Sequence, residues 1–255
     1  MNTYKAYKLR IYPTDLQRGL IEKTFGSTRY IYNSFLAERK SKYEECKTKV
    51  NFFERLKELT DLKKEKEWLR EIDSCALQAC VYNLDDAFQK IFKGNGYPRF
   101  RTNNILKTYK NKKYESIKID FDKRIITLPK LKEVKFREYR TTKEIIGKIK
   151  SATISKDANK YFVSILVEVP FITYSLKTTS IVGLDLVIKN FIVTSHGEKL
   201  KNEVRINEKI LKGLQKWLSR CKPGSKNRYK VKLKIQRLYL KIRNARKHMI
   251  YKLAN

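Results

Sequence analysis

The residue best placed to do chemistry is Asp185, a single carboxylate inside an otherwise apolar, β-branched run over residues 181–197. The pattern of this run predicts two short strands joined near Lys189 and Asn190. An ionised carboxylate on a core strand is costly unless a cation or hydrogen bonds compensate it, so an aspartate here suggests a Mg²⁺ ligand. An aspartate at a strand end can also cap a turn. The run alone leaves both interpretations open.

The charge of the chain indicates what kind of partner it has. Lysine and arginine number 59 against 26 aspartates and glutamates, a formal net charge of +33. Such an excess repels itself and no fold requires it, so it predicts a polyanionic partner. Nucleic acid fits better than a membrane, because the sequence has no apolar run long enough to span a bilayer and no N-terminal signal segment. We therefore expect a cytoplasmic, nucleoid-associated protein.

The four cysteines form no C-x-x-C pair, so the sequence signals neither a zinc site nor a disulfide framework.

The first third of the chain is predicted to be a strand followed by helices. Residues 3–12 alternate apolar and basic side chains, and Thr14 and Gln17 have the spacing of a capping box that starts a helix near Asp15. The pair Gly26-Ser27 predicts an interruption before a second helix. Residues 52–93 keep a helical pattern, with Asp73 or Ser74 as an N-cap. The predicted buried stripe of the helix after this cap consists of Leu77, Val81, Leu84, Phe88 and Ile91.

The middle of the chain changes to strand periodicity. Two glycines and a proline in residues 94–101 break the last helix. Residues 125–128, 148–155 and 161–169 then read as strands, and residues 157–159 form the turn between the last two. We predict a β module over residues 105–170, forming a small barrel that the first strand completes.

The end of the chain is a cationic helix. Residues 199–255 contain nineteen lysines and arginines against Glu203 and Glu208, and no acidic residue follows Glu208. One predicted seam consists of Val231, Ile235, Leu238, Ile242, Ala245 and Met249, while basic residues occupy the other faces. A solvated face normally mixes charges of both signs, so decoration of one sign favours binding to phosphates.

Eight segments, in order, resemble the TnpB family of transposon-encoded, RNA-guided nucleases. They are residues 5–13, 29–33, 62–69, 76–78, 96–100, 147–151, 183–191 (Gly-Leu-Asp-Leu-Val-Ile-Lys-Asn-Phe) and 218–228. The resemblance implies an α+β fold: a helical recognition lobe (13–94) inserted in a wedge-like β-barrel (1–12 and 95–179), followed by a truncated RuvC, ribonuclease-H-like domain (180–255) with long basic helices. It also implies two partners, a guide RNA and double-stranded target DNA beside a short motif that the protein reads.

The resemblance also assigns roles to particular residues. The positions that resemble family segments near the wedge and recognition lobe, and whose side chains can bond base edges, are predicted to read the DNA motif. These are Tyr30, Asn33, Ser34, Gln78 and Thr102. A second set of basic residues is predicted to contact the nucleic-acid backbone. These are Lys5, Arg10, Arg29, Arg99, Arg101, Arg228, Lys230, Lys234, Arg237, Lys241 and Arg243.

The sequence departs from the family at the nuclease centre. A RuvC centre uses several carboxylates around two metal ions, whereas the acids after Asp185 are only Glu198, Glu203 and Glu208, and Val187 replaces the usual glycine. The chain stops before the family's later glutamate, zinc ribbon and aspartate. We therefore expect no catalytic residue, with Asp185 a remnant, and no cofactor unless a Mg²⁺-dependent centre is completed.

Three functions remain open at this point. The first is an RNA-guided protein that binds DNA without cutting it and so represses transcription. The second is a fragment of an active RNA-guided endonuclease that acts in transposon maintenance. The third is a nonspecific basic nucleic-acid-binding protein.

Overall fold

The computed structural model describes residues 2–46, 52–102, 107–137, 147–170, 181–186, 190–201 and 205–254. The chain forms two compact units. The first comprises residues 1–156 and 160–171, and the second comprises residues 157–159 and 172–255. The three-part division into wedge, recognition lobe and RuvC-like domain stays a prediction.

The first unit contains a seven-stranded antiparallel sheet. Its strands are β1 (Asn2–Tyr12), β2 (Lys107–Asn111), β3 (Lys118–Asp120), β4 (Ile125–Leu128), β5 (Lys132–Arg137), β6 (Lys148–Asp157) and β7 (Lys160–Pro170). They are arranged in the order β2-β6-β7-β1-β5-β4-β3. The first strand thus completes the β module, as predicted, but no closed barrel is seen in the described residues. Strands β2 and β3 lie at the two edges, and with five and three residues they are too short to wrap the sheet around.

Three helices cover this unit: α1 (Asp15–Cys46), α2 (Phe52–Glu65) and α3 (Ser74–Ile91). The predicted capping box starts α1, since the Thr14 amide donates to Gln17 Oε1 at 2.9 Å and the Gln17 amide to Thr14 Oγ1 at 3.4 Å. Asp73 caps α3 by accepting from the Cys75 amide at 3.0 Å. Both predicted helix starts are therefore confirmed.

The predicted interruption at Gly26-Ser27 is wrong, because α1 runs through it without a break. The hydroxyls of Thr24, Ser27 and Thr28 donate to carbonyls one turn earlier, at 2.7, 2.8 and 3.0 Å, and all three side chains are buried. The buried Cys80 thiol of α3 donates to the Thr28 carbonyl at 2.9 Å, and burial raises the pKa of Cys80 to about 11. Tertiary packing on small side chains thus overrides the weak helix propensity of one glycine.

Two hydrophobic clusters stabilise the unit. One joins the sheet to Ile21 and Phe25 of α1. The other lies among the helices and contains the predicted stripe of α3, with Leu77, Val81, Leu84 and Phe88 buried and Ile91 packed at its margin. Residues of α1 take part in both clusters. This helix therefore positions the predicted site residues on the sheet and those on the helices.

An ionic cluster around Glu22 fixes α1 on the sheet. Lys107 Nζ of β2 lies 2.8 Å from Glu22 Oε2, Lys156 Nζ of β6 lies 2.6 Å from Oε1, and the Tyr161 hydroxyl of β7 donates to Oε1 at 3.1 Å. Burial alone would raise the pKa of Glu22, but the hydrogen bonds and charges of Lys107 and Lys156 outweigh it and lower this pKa.

The second unit contains a three-stranded sheet and a helical hairpin. Strands β8 (Leu184–Asp185), β9 (Asn190–Thr194) and β10 (Lys199–Lys201) form a sheet in the order β10-β9-β8, so the two strands predicted around Asp185 are confirmed. Helices α4 (Arg205–Arg220) and α5 (Lys226–Ala254) pack through Leu211 of α4 and four residues of the predicted seam of α5, which are Leu238, Ile242, Ala245 and Met249. No described helix has a stretch long and apolar enough to cross a membrane.

Candidate nucleic-acid interface

Asp185 is exposed, which removes the reason for predicting it as a compensated core carboxylate. Strand β8 is only two residues long, and Asp185 lies opposite Val193 of β9. The neighbouring turn is closed by other groups, since the Ser195 amide donates to the Gly183 carbonyl at 2.8 Å and the Gly183 amide to Ser195 Oγ at 3.1 Å. The predicted turn at Lys189 and the unusual Val187 lie outside the described residues.

The described residues do not fit a two-metal centre. No group of three or more histidine, cysteine, aspartate or glutamate side chains comes together in the described part of the chain. A two-metal centre needs several carboxylates that clamp both ions, so no chemical step through Mg²⁺ can be derived from these residues. The surface instead presents basic side chains and concave sites.

Asn33, one of the predicted motif readers, is bonded on both sides of its amide group. Its Nδ2 donates to the Arg101 carbonyl at 2.9 Å, and its Oδ1 accepts from the Arg101 amide at 2.8 Å. The Arg101 guanidinium stacks over the Tyr32 ring, with its Cζ 3.8 Å from the ring centroid. Asn33 and Tyr32 therefore fasten the segment that follows α3 onto α1.

This fastening shapes a cationic cavity of about 210 Å³ beside Thr102. Its polar lining consists of three basic side chains and three hydroxyls: Arg29, Arg101, Lys107, Thr28, Thr102 and Thr108. Lys107 Nζ is paired with Glu22, and the Thr28 hydroxyl donates to carbonyls of α1. The donors that suit a phosphate or a base edge here are therefore the guanidinium groups and the hydroxyls of Thr102 and Thr108. The structure thus brings Thr102 together with two of the predicted backbone contacts, Arg29 and Arg101, and with Lys107.

The other predicted motif readers lie elsewhere on the helices. Gln78 is exposed on α3 and lines a separate groove of about 410 Å³ with Lys63, Lys64 and Arg70 among its walls. Tyr30 packs edge-on against Trp68, with ring centroids 5.4 Å apart, and Ser34 is half-buried on α1. Gln78 and Thr102 therefore line different concave surfaces, and a reading role for any of the five residues stays a prediction.

The outer face of the large sheet is basic. Arg10 of β1 lies directly opposite Arg137 of β5, and Tyr12 lies opposite Lys135. The Lys8 ammonium lies 4.5 Å from the Phe162 ring centroid and the Arg10 guanidinium 4.7 Å from that of Tyr12. Like charges directly opposite each other destabilise a sheet, so their presence on an exposed face favours a polyanion that neutralises them.

The other predicted basic contacts of the first unit are more separate. Lys5 lies at the exposed end of β1, its ammonium 5.2 Å from the Tyr7 ring centroid. Arg99 is exposed in the segment between α3 and β2.

Helix α5 carries a row of cations along one side. Lys230, Lys234, Arg237 and Lys241 recur at intervals of four, three and four, so they form one exposed row on the helix, which we call the α5 row. Arg243 lies outside this row and pairs with Asp157 of the same unit at 2.8 Å. Arg228 Nη1 donates to the Leu218 and Cys221 carbonyls, both at 3.0 Å, and so caps the end of α4.

Sequence reasoning missed three features of this surface. Lys135 and Arg137 belong to β5, whose alternation of Val134 and Phe136 with charged residues was a detectable strand signal. Lys107 lines the cavity while its ammonium is paired with Glu22 of α1. This is a tertiary arrangement that no local pattern reveals. Trp217 on α4 lies beside the α5 row, with its ring centroid 5.0 Å from Lys234 Nζ.

Family comparisons match both ends of the chain. A family model described as a helix-turn-helix domain of OrfB proteins matches residues 1–48, and an OrfB model described as "Probable transposase" matches residues 164–255. In the structure, the helical part of the first match is the single helix α1.

Two curated relatives align with nearly the whole chain. A protein of Streptomyces pristinaespiralis, named as a candidate RNA-guided DNA endonuclease, is 32% identical over 98% of this chain and 63% of its own length. InsQ of Escherichia coli K12, named in the same way, is 28% identical over 99% of this chain and 63% of its own length. The chain therefore spans less than two thirds of the length of these relatives.

The fold also has a solved neighbour. The Cas12f1 protein, seen by cryo-electron microscopy in a complex with single guide RNA and target DNA, superimposes with a TM-score of 0.55. The match covers 99% of this chain and 77% of the neighbour at 12% identity, so it supports a shared fold.

Proposed function

Since this chain belongs to the TnpB family, we propose that it is an RNA-guided DNA-binding protein that holds a guide RNA and its target DNA without cutting the DNA. Base pairing between guide and target supplies the sequence specificity, while the protein binds backbone and heteroduplex shape. A protein that stays on its target in this way blocks RNA polymerase and represses transcription.

The observation that carries the binding half of the proposal is the excess of positive charge on its exposed surfaces. Arg10 and Arg137 face each other on the sheet, and the α5 row presents four cations along one side of a helix. Between residues 209 and 255 the sequence has no acidic residue to neutralise the row. Cations held close together without counter-charges bind phosphates with release of condensed counterions.

The absence of cleavage rests on the carboxylates that this sequence supplies. Asp185 is exposed on a two-residue strand, and no group of three or more metal-ligating side chains comes together in the part of the chain that the structure describes. One carboxylate cannot clamp the attacking and leaving oxygens through two metal ions.

A second candidate is a part of an active RNA-guided DNA endonuclease. The names of the two relatives and their greater length favour it. In that case residues outside this sequence, supplied in the same chain or in trans, would complete a Mg²⁺-dependent centre around Asp185.

One experiment tests both candidates. The 255-residue protein is co-expressed with the DNA that flanks its gene, purified, and its RNA sequenced; binding and cleavage are then measured on matched and scrambled duplexes in Mg²⁺. We expect one discrete RNA, selective binding of the matched duplex and no cleavage. Cleavage that disappears in Asp185→Ala would overturn the non-cutting proposal in favour of the endonuclease.

The same preparation distinguishes the nonspecific alternative. A purified protein that carries RNA without sequence selectivity and binds scrambled and matched duplexes equally would contradict RNA guidance. That result would favour the nonspecific basic nucleic-acid-binding protein.

A further inference from the structure

Trp217 is a large aromatic side chain that the helical hairpin leaves exposed. Its relative exposure is 48%, and it lies on α4 outside the hydrophobic cluster that joins α4 to α5. Ile210, with 51% exposure, and Gly213 lie on the same side of α4, because positions 210, 213 and 217 recur at intervals of three and four. The side of α4 that flanks the packed seam thus carries an exposed isoleucine, a glycine and an exposed indole ring in one row.

This ring lies against the row of cations on the neighbouring helix. Lys234 Nζ is 5.0 Å from the centroid of the Trp217 ring, within the range of a cation–π contact. Lys234 is the second member of the α5 row, so Lys230, Arg237 and Lys241 continue the charge in both directions. Four cations separated by three or four residues extend about 16 Å along the helix.

An aromatic ring beside a row of cations is the combination that binds single-stranded nucleic acid. Such sites track the backbone with positive charge and stack successive bases on aromatic side chains. In a duplex both faces of an internal base are covered by neighbouring bases, so a ring that lies beside the backbone path has nothing to stack on. An unpaired base has a free face and can lie on the indole.

We propose that Trp217 is a stacking platform for an unpaired base, and that the phosphates of the same strand follow the α5 row. The partner is single-stranded nucleic acid of any sequence, because every base offers a π-face. This site goes beyond guide-dependent binding, since it needs neither a guide nor a matching target. The Lys234 ammonium, which now covers the ring, moves to a phosphate when the base arrives.

Tryptophan fluorescence tests the contact directly, because the chain has two tryptophans, Trp68 and Trp217, one in each unit. Trp68→Phe leaves Trp217 as the only reporter, and Trp217→Phe leaves Trp68, which packs edge-on against Tyr30. Each variant is titrated with single-stranded oligothymidylate and with a random-sequence duplex of equal length. We expect oligothymidylate to quench Trp217 and to leave Trp68 unquenched, and the duplex to quench Trp217 much less.

Affinity measurements separate stacking from charge. Trp217→Ala is expected to weaken binding of oligothymidylate about 5- to 100-fold, and Trp217→Tyr to restore most of the loss, since loss of one stacked base has an effect of this size. Lys234→Gln is expected to lower the salt dependence by about 0.7 in log–log slope. Lys212→Gln removes the same charge from another exposed side of α4 and serves as the matched control.

The outcomes are distinct. Equal quenching of Trp217 by duplex and single strand, or a Trp217→Ala variant that binds oligothymidylate as well as the parent, would overturn the stacking site. Trp217 quenching that persists in a protein with no guided DNA binding would support the stacking site and count only against the proposed guided function. Because Trp217 is exposed, its variants are expected to keep the circular dichroism of the parent.

Discussion

Arg10 and Arg137 lie directly opposite each other across β1 and β5. Lys135 shares the outer face of β5 with Arg137, but its cross-strand neighbour is Tyr12. Arg137 therefore has a like charge directly opposite it on β1, and Lys135 does not.

This difference gives a stability prediction. We expect Arg137→Gln to raise the free energy of unfolding by about 0.2–1 kcal/mol, because it removes a like-charge pair, and also to weaken duplex binding and lower the salt slope by about 0.9. Lys135→Gln should lower the salt slope by a similar amount without the gain in stability. Urea denaturation and salt-dependent binding measure the two effects. Equal stability of the two variants would contradict a contribution from the Arg10–Arg137 pair.

Asn33 is predicted to be needed for structure whether or not it reads DNA. Asn33→Ala leaves the Arg101 amide and carbonyl without partners, so the free energy of unfolding should fall by about 1–3 kcal/mol. Hydrogen exchange of the Arg101 amide should accelerate in the absence of any nucleic acid. Ser34→Ala, at the adjacent position, should change stability by about 0.5 kcal/mol or less. An unchanged exchange rate in Asn33→Ala would show that the amide pair does not hold the segment.

The Glu22 cluster predicts an acid limb in the stability profile. Because the pKa of Glu22 is lowered in the folded protein, its stabilising effect is complete above the unfolded value of 4.5 and is lost as the pH falls through the lower folded value. Glu22→Gln should therefore flatten the loss of stability below about pH 4.5. The midpoints of urea denaturation between pH 3 and 7 measure this loss of stability in the parent and the variant. Glu71→Gln, which removes a carboxylate from an exposed pair with Lys23, is the control and should leave the acid limb steep.

The same cluster predicts an effect at high pH. The pKa of Lys156 is raised, since the hydrogen bond and charge of Glu22 outweigh burial, which would lower it. The contribution of Lys156 to stability is present below its unfolded-state pKa of 10.5. It is lost as the pH rises through the raised pKa of the folded state. Lys156→Met should remove that part of the alkaline loss. An alkaline limb identical to that of the parent would exclude Lys156 as its source.

Gly147 is predicted to tolerate no side chain. Its φ is +121°, and an added Cβ would overlap the Glu168 carbonyl and lie 2.8 Å from Val167 Cγ1. Gly147→Ala should lower the free energy of unfolding by about 2–4 kcal/mol through backbone strain and overpacking. Gly19→Ala has no atom within 4 Å of its new Cβ and lies in helix α1, so it should raise stability by about 0.5–1 kcal/mol. Thermal denaturation of both variants measures the contrast.

Local signals in the sequence predicted local features well. The Thr14–Gln17 box, the Asp73 cap, the α3 stripe and the turn at residues 157–159 were all found, because each depends on side chains within a few positions of one another. The seam of α5 follows from the same periodicity, with Val231, Ile235, Ile242 and Met249 buried as expected.

Features decided by distant contacts were not predictable in this way. The continuity of α1 through Gly26 depends on packing against α3, and the bonding of Asn33 depends on a segment 68 positions away. The exposure of Asp185 could not be deduced from its apolar neighbours, since β8 is too short to bury it. The count of charges identified the basic helix, but it could not show that Trp217 of α4 lies beside Lys234 of that helix.

The position of β1 has a consequence for how the molecule is made. This strand precedes the rest of the sheet in the sequence, so it is synthesised before β7, with which ten of its residues pair and which ends at Pro170. At a translation speed of about 5–20 residues per second, β1 waits about 8–30 seconds for that partner. The helical cluster around α3, whose members all precede residue 92, can consolidate on the ribosome in the meantime. The time for which this amphipathic strand stays unpaired is thus set by the speed of translation.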